Sequence, residues 1–286
     1  MSWRHATGTL SLDRPRIVGI VNVTPDSFSD GGMLRTLDDA RRHIDRLMVE
    51  GADVVDIGGE STRPQGATPV DAEEELRRVI PVVEAVVRDH PGFPISIDTV
   101  KASVARAAMS AGASIVNDVS AFRLDEGMAA ACAETRAGVV LMHSRGDVAT
   151  MATFEHASYG SDVVGEVCAE LSSGVDRALA AGVPEESIVI DPGIGFAKRG
   201  EDSLAVLAGL RRFASLGYPV LVGASRKRFI GGVTGASSPG DRVFGTIGAN
   251  VAALERGARL FRVHDVKANR DALDVAWAIM QQNDGS

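Results

Sequence analysis

The sequence predicts a single-domain (β/α)8 barrel of the α/β class, and two observations support this fold class. Eight short runs rich in Val, Ile and Leu recur along the 286 residues, and segments of helical length separate them. The runs lack polar alternation, which is typical of parallel strands buried on both faces. Eight strand–helix repeats in one chain of this length indicate a closed barrel. An open doubly wound sheet is the alternative, and the absence of an early G-x-G-x-x-G sequence counts against it.

Each predicted strand ends in polar residues or glycine. In chain order the runs are RIVGIVN, ADVVDIGG, FPISID, ASIVND, GVVLMHS, SIVIDPG, PVLVGAS and RLFRVH. The first helical segment, TLDDARRHIDRLMVEGA, places four apolar residues on one side, namely Ala40, Ile44, Leu47 and Met48. The second, DAEEELRRVIPVVEAVVRDH, begins with acidic residues and ends with basic ones, as the helix dipole favours. Pro81 inside it predicts a kink or a break.

Domain organisation is simple, because no linker divides the chain. Residues 1–15 are predicted to form an N-terminal extension or small hairpin, and 16–286 the barrel. The net charge of −8 argues against a nucleic-acid binder. The opening residues do not resemble a signal peptide, and no run approaches the roughly 18 apolar residues of a membrane span. We therefore expect a cytoplasmic protein with no membrane partner.

Polar residues at the strand ends indicate where the chemistry lies, because active sites of such barrels lie at the carboxyl ends of the strands. The residues at these ends are Asn22, Asp56, Asp98, Asn117, Asp118, Met142, His143, Asp191, Ser225, Arg226, Lys227, Arg262 and His264. Any one of them has an ordinary structural interpretation, but together they predict a polar pocket. Carboxylates, an amide and a lysine suit a flat heterocycle rich in hydrogen bonds, with Asp191 accepting two parallel N–H bonds. Arg262, His264 and Asn22 are predicted to form a separate group for an anion or a metal–phosphate.

The stretch VGASRKRFIGG places three cations, Arg226, Lys227 and Arg228, directly after a predicted strand of an acidic protein. A solvated turn explains them as well as a ligand does. The histidines are scattered and the cysteines Cys132 and Cys168 have no metal-like spacing, so a metal would be Mg²⁺ held largely by substrate phosphates and water.

Seven motifs together resemble the dihydropteroate synthase family. They are NVTPDSFSDGG (22–32), GGESTRP (58–64), SID (96–98), ND (117–118), DPGIGFAK (191–198), SRK (225–227) and RVHDV (262–266). They occur in the family's order from about Ile17 onward. The resemblance implies a barrel, usually a homodimer. The implied enzyme is a transferase that joins 7,8-dihydropterin-6-ylmethyl pyrophosphate to p-aminobenzoate in folate synthesis, with sulfonamides as inhibitors.

The resemblance also implies roles for individual residues. The pterin site would comprise Asp98, Asn117, Asp191, Lys227, Met142, Ile115, Phe196 and Asp56. The catalytic residues would be Asp98, Lys227, Asp30 and Asp26, the last two in a lid with Ser27 and Phe28. Asn22, Arg262 and His264 would hold pyrophosphate, and Asn22 would join Mg²⁺ to it. The p-aminobenzoate site would use Thr62, Arg63, Pro64, Phe28, Ser225 and Arg228. For Met142, Ile115 and Phe196, ordinary barrel core remains the alternative, and for Arg228 a surface role.

Three positions depart from the family pattern. Gln65 is an extra residue after STRP, Ser144 stands where methionine is common, and Ala197 where glycine is common. None of them is assigned to pterin or pyrophosphate. Two other functions remain open: a pterin-dependent methyltransferase, which needs neither ESTRP nor RVH, and a catalytically silent pterin-binding paralogue.

Overall fold

The computed structural model describes residues 1–23, 36–60 and 70–283, and it shows the predicted closed barrel. Eight parallel strands form the barrel in their order along the chain, and the last of them closes it by pairing with the first. Their bounds are β3 (Arg16–Asn22), β4 (Val54–Gly58), β5 (Ile95–Asp98), β6 (Ile115–Asp118), β7 (Gly138–Met142), β8 (Ile188–Asp191), β9 (Val220–Val222) and β10 (Ala258–Val263). The eight predicted runs are therefore the eight barrel strands.

Helices connect successive strands and cover the outside of the barrel. They are α1 (Leu37–Val49), α2 (Ala72–Asp89), α3 (Ala102–Ser110), α4 (Met128–Thr135), α5 (Val163–Ala180), α6 (Gly200–Ala208), α7 (Leu210–Ala214), α8 (Arg228–Thr234), α9 (Val243–Glu255) and α10 (Val266–Asn283). Ala40, Ile44 and Leu47 are buried on α1, as the 3.6-residue spacing predicts. Helix α2 does not break at Pro81 but continues to Asp89. No helix among the described residues is long and apolar enough to cross a membrane.

An N-terminal hairpin closes the amino-terminal end of the barrel. Its strands β1 (Ser2–His5) and β2 (Gly8–Ser11) pair antiparallel before β3 begins. Trp3 is 1% exposed, and its Nε1 donates to the carbonyl oxygen of Ser187 at 2.9 Å. Trp3 and Leu12 pack in one cluster with one residue from each of seven barrel strands, which are Val18, Val54, Ile115, Val140, Val189, Leu221 and Leu260. The hairpin therefore completes the floor of the barrel interior.

Removing the indole should destabilise the whole barrel. We expect Trp3→Ala to lower the free energy of unfolding by about 3–5 kcal/mol, because it leaves a cavity and deletes a buried hydrogen bond. Urea unfolding followed by circular dichroism would measure this loss. Met1→Ala is the control, because Met1 is 71% exposed in the same hairpin region. A loss below about 1 kcal/mol for Trp3→Ala would show that the hairpin does not support the barrel.

Candidate active site

A polar layer lies directly above this apolar floor, on the same inward faces of the strands. Successive side chains of a strand point to opposite faces, so residues two apart share a face. Two residues beyond Val54, Ile115, Val189 and Leu260 come Asp56, Asn117, Asp191 and Arg262. The inward-facing side chains therefore change from apolar to polar at one depth of the barrel, close to the carboxyl ends of the strands.

Asp56 lies at the centre of this layer. Its Oδ2 accepts from Asn117 Nδ2 at 3.1 Å and from Arg262 Nε at 2.6 Å. Arg262 Nη2 also donates to Asp98 Oδ2 at 2.6 Å. Asp56 is 1% exposed, and its Oδ1 has no hydrogen-bond partner among the described residues. Because an unmade hydrogen bond to a buried carboxylate is costly, this oxygen is suited to accept from a bound N–H group.

Arg262 pairs with two carboxylates near the carboxyl ends of the strands. Its guanidinium contacts Asp56 and Asp98, and its predicted role beside Asn22 and His264 in an anion group stays a prediction. The physical reason is closure, because β10 pairs with β3 and β3 with β4, which brings position 262 beside the carboxylates. Burial raises the pKa of Asp98 to about 7, against the opposing effect of the Arg262 charge. One guanidinium thus bridges two carboxylates, and its single charge offsets only one of them.

The second polar group contains Asp191 and Lys227. The Gly193 N–H donates to Asp191 Oδ1 at 2.7 Å. A Cβ added to Gly223 would lie 3.7 Å from Asp191 Oδ2 and 4.0 Å from Lys227 Nζ, so glycine leaves room for both side chains. Burial lowers the pKa of Lys227 to about 7, although the nearby Asp191 charge opposes this. Burial raises the pKa of Asp191.

The three consecutive cations meet three different partners. Arg226 forms two bonds with the Asp265 carboxylate, at 2.9 and 2.6 Å. Lys227 Nζ donates to the carbonyl oxygen of Ile194 and lies 4.4 Å from the centroid of the Phe196 ring. The Arg228 guanidinium lies 4.6 Å from the centroid of the Phe154 ring.

The Arg228 Nη2 also donates to the carbonyl oxygen of Ala152 at 2.8 Å. Arg226 therefore braces the loop and Lys227 points inward. The Arg228 side chain contacts the segment after β7, and whether it also contacts p-aminobenzoate stays a prediction.

Ser225 and His264 hold each other at the ends of β9 and β10. Ser225 Oγ lies 2.9 Å from His264 Nδ1 and accepts from the His264 backbone N–H at 3.1 Å. Asn22 ends β3, the strand paired with β10. Asn22, Arg262 and His264 therefore lie near the carboxyl ends of two paired strands, and we call this edge of the barrel the rim.

The apolar residues predicted to contact a pterin divide into two places. Met142 clusters with Val119 and Met151, and Phe196 packs against this cluster. Ile115 instead lies in the barrel floor, 0% exposed, one inward position below Asn117. Val119, two residues after Asn117, is the β6-side residue that packs beside Met142. A pterin contact for Ile115 stays a prediction.

Several predicted residues lie outside the described part of the chain. They are Asp26, Ser27, Phe28 and Asp30 of the first loop and Thr62, Arg63, Pro64 and Gln65 of the second. The residues that border the second loop are described. Glu60 Oε1 accepts from the Val70 N–H at 2.7 Å, and Lys101 Nζ bridges Glu60 and Glu75 at 2.8 and 2.6 Å. This buried cluster, which the sequence analysis missed, joins the two sides of the second loop.

A magnesium ion is compatible with the rim but not with a site made of protein ligands alone. Within residues 1–23, 36–60 and 70–283, no three His, Cys, Asp or Glu side chains lie close enough to hold a metal. Asn22 offers one amide oxygen, and Mg²⁺ commonly takes its remaining ligands from phosphates and water. The residues present therefore fit an ion that arrives with a phosphorylated substrate.

Comparison with known proteins identifies the family. The profile described as pterin binding enzyme matches residues 18–264. The dihydropteroate synthase of Mycobacterium leprae is 47% identical over 274 residues, which cover 94% of this chain and 95% of that protein. The profile covers pterin-binding enzymes in general and does not by itself indicate a synthase. The named relative supplies that finer assignment.

Solved structures agree with this assignment. Xanthomonas albilineans dihydropteroate synthase with 4-aminobenzoic acid matches with a TM-score of 0.87 and 51% identity, covering 95% of both chains. The same enzyme in complex with 7,8-dihydropteroate gives 0.84 and 48%, covering 95% of this chain and 96% of that one. The Yersinia pestis synthase in a sulfonamide drug complex gives 0.91 and 38%, covering 98% and 100%. This chain belongs to the dihydropteroate synthase family.

Proposed function

We propose that this chain condenses 7,8-dihydropterin-6-ylmethyl pyrophosphate with p-aminobenzoate, which gives 7,8-dihydropteroate and pyrophosphate for folate biosynthesis. The observation that carries the proposal is the polar layer of Asp56, Asn117, Asp191 and Arg262 at one depth of the barrel, with an unpartnered buried oxygen on Asp56 among the described residues. Lys227 lies beside Asp191 in the same pocket. A flat ring with several N–H donors fits such a layer. The Xanthomonas albilineans relatives, solved with 4-aminobenzoic acid and with 7,8-dihydropteroate, support the same two substrates.

The described residues divide the pterin between them. Asp191 is suited to accept from the amino-pyrimidine edge, because Gly193 orients its carboxylate. Asn117 both donates and accepts, and Lys227 donates to a ring carbonyl or nitrogen. Met142 and Phe196 pack against the ring faces. The motif positions support these roles, and so do the contacts of Asp191 with Gly193 and of Asp56 with Asn117.

The reaction we propose breaks one bond and forms one. The bond between the pterin methylene carbon and the pyrophosphate oxygen breaks, and its electron pair leaves with pyrophosphate. The dihydropterin ring stabilises the resulting cation, and the Asp98 carboxylate supports its charge. The arylamine nitrogen of p-aminobenzoate then attacks the methylene carbon and loses a proton to solvent. An uncharged aniline is nucleophilic at neutral pH, so the step needs no strong base.

Pyrophosphate would bind at the rim formed by Asn22, Arg262 and His264. The contact between Ser225 Oγ and His264 Nδ1 holds the imidazole in one position. A bound Mg²⁺ would neutralise charge on the departing pyrophosphate, with Asn22 as its protein ligand. We assign p-aminobenzoate to the side of Ser225 and Arg228, together with the loop residues Phe28, Thr62, Arg63 and Pro64, and assign Asp26 and Asp30 to the lid.

Pyrophosphate release tests the function directly. We expect release only when both substrates are present, and competition between p-aminobenzoate and a sulfonamide. A pterin-dependent methyltransferase or a silent pterin-binding paralogue would release no pyrophosphate that depends on p-aminobenzoate. Either of these outcomes would refute the proposal.

The cytoplasmic location stays a prediction.

We also propose that the chain forms a homodimer through α9 and α10. On helix α9, Thr246, Asn250, Ala253 and Leu254 are buried, while the apolar side chain of Phe244 is 85% exposed. On α10, Val275 and Ile279 are 61% and 62% exposed. Exposed apolar side chains on neighbouring helices are typical of a subunit interface, and a second copy supplies the same apolar face by symmetry.

Phe244→Glu should convert the dimer into a monomer, because it places a charge in the middle of an apolar contact. Light scattering coupled to size-exclusion chromatography would show the mass fall by half. Leu179→Glu is the control, since Leu179 is 41% exposed at the end of α5, away from α9 and α10, and should leave the mass unchanged. A dimer that survives Phe244→Glu, or a wild-type monomer, would contradict this interface.

A further inference from the structure

A second buried lysine lies behind the proposed pterin site. Lys198 is 1% exposed although its side chain ends in an amine, and burial lowers the pKa of this amine to about 7. Its Nζ lies 2.8 Å from His143 Nδ1 and donates to the carbonyl oxygens of Gly193 and Phe196 at 3.2 Å each. An ammonium has three donors, and these three acceptors satisfy all of them. Burying a cation is costly, so this arrangement must be held by a well-defined set of bonds.

The bonds of Lys198 converge on the segment that orients Asp191. Gly193, whose carbonyl Lys198 holds, donates its own N–H to Asp191 Oδ1 at 2.7 Å. The backbone N–H of His143 donates to the backbone carbonyl oxygen of Asp191 at 2.9 Å. A Cβ on Gly193 would lie 1.9 Å from the His143 carbonyl oxygen, which shows how tightly the segment packs against the end of β7. Asp191 is thus fixed through its backbone and through its carboxylate.

His143 connects Lys198 to the outside of the barrel. Because His143 Nδ1 accepts from Lys198, its other ring nitrogen carries the hydrogen and donates to Glu170 Oε2 at 3.0 Å. Burial lowers the pKa of His143 to about 4, with Lys198 adding to the effect, so the imidazole is neutral at neutral pH. Glu170 on α5 also accepts from Arg145 Nε at 3.0 Å. A continuous chain of hydrogen bonds therefore runs from α5 to the segment after β8.

We propose that Lys198 is a positioning residue for pterin binding, which holds the carbonyls of Gly193 and Phe196 so that the Asp191 carboxylate is fixed in the pocket. The same contacts place the Phe196 ring, whose centroid lies 4.4 Å from Lys227 Nζ. Lys198 acts on the ligand only through these neighbours. The inference rests on the proposed function, because it takes Asp191 as the group that receives the pterin.

Lys198→Met tests this, because methionine keeps the length of the side chain and removes its donors. The probe is a 7,8-dihydropterin without a pyrophosphate group, titrated by calorimetry, so that anion binding does not contribute. We expect its Kd to rise at least tenfold while the KM for p-aminobenzoate changes less than twofold. Lys267→Met is the matched control, since the Lys267 side chain is 65% exposed and pairs with Asp271 on α10; its Kd should stay within twofold.

Hydrogen exchange distinguishes positioning from general destabilisation. In Lys198→Met the amides of 193–197 should exchange faster, while those of β8 keep their protection. Glu170→Leu removes the half-exposed carboxylate at the outer end of the hydrogen-bond chain that leads through His143 to Lys198. We expect it to raise the pterin Kd threefold or more. If Lys198→Met does not fold, that second variant decides.

An unchanged pterin Kd in folded Lys198→Met, or in Glu170→Leu when the first variant does not fold, would overturn the inference. Failure of the wild-type protein to bind the pterin would instead contradict the proposed function.

Discussion

Asp98→Asn should lower kcat by a factor on the order of 10²–10³ while the protein stays folded, because it removes a charge that stabilises the transition state. Asparagine has nearly the same shape, and its amide oxygen is able to accept the hydrogen bond that Arg262 Nη2 now donates to Asp98 Oδ2. Steady-state kinetics with both substrates saturating would measure the loss. Asp271→Asn is the control, because the Asp271 side chain is 61% exposed on α10, and its kcat should be unchanged.

The pH profile adds an independent check on the same residue. Burial raises the pKa of Asp98 to about 7, and the Arg262 charge opposes the shift. Below that pH the carboxyl is protonated and loses the charge that the mechanism uses, so kcat/KM should fall as the pH is lowered through about 7. The Asp98→Asn profile should lack this acidic limb. An unchanged kcat would refute the role of the charge, and an identical limb in both proteins would assign it to another group.

Arg262→Met should have the largest combined effect on stability and activity. It leaves Asp56 and Asp98 without their shared cation, although Asp56 is 1% exposed. Removing one partner of a buried ion pair typically costs about 3–5 kcal/mol, so we expect a loss of about 3 kcal/mol at pH 8. Turnover should also be lost, because the rim would lose a cation for pyrophosphate.

The loss of stability in Arg262→Met should depend on pH with a defined sign. Without the guanidinium, the pKa of Asp98 rises further above its unfolded value. The folded state then binds more protons than the unfolded state between these two pKa values, so stability falls as pH rises through that window. Urea unfolding between pH 5 and 8 should therefore show the larger deficit at pH 8.

Arg41→Met is the matched control, because Arg41 forms a half-exposed pair with Asp89, and it should cost about 0.5 kcal/mol. A loss below about 1 kcal/mol for Arg262→Met would show that the two carboxylates are solvated without it. The double variant Arg262→Met, Asp98→Asn should recover part of the stability at pH 8, because only one uncompensated carboxylate then remains.

The eight strands and the polar residues at their ends could be predicted, because both are local properties of the sequence. Runs such as RIVGIVN and SIVIDPG have apolar centres without polar alternation, and Asn22 and Asp191 lie at their carboxyl ends, where the barrel opens. The motif resemblance supplied the family, and the relatives confirmed it. The positions of Asp56 and Asn117 near strand ends also predicted that they belong to a polar pocket.

What the tertiary structure decided are the contacts between residues far apart in the chain. Arg262 meets Asp56, 206 residues earlier, because the barrel closes between β10 and β3. Trp3 packs against residues of seven strands at the floor of the barrel, and Lys198 Nζ contacts His143 Nδ1. Both contacts depend on the relative positions of strands that are distant in the sequence. Local periodicity fixes which face a side chain points to. Which partner it meets depends on long-range closure, whose geometry is set by packing of the whole chain.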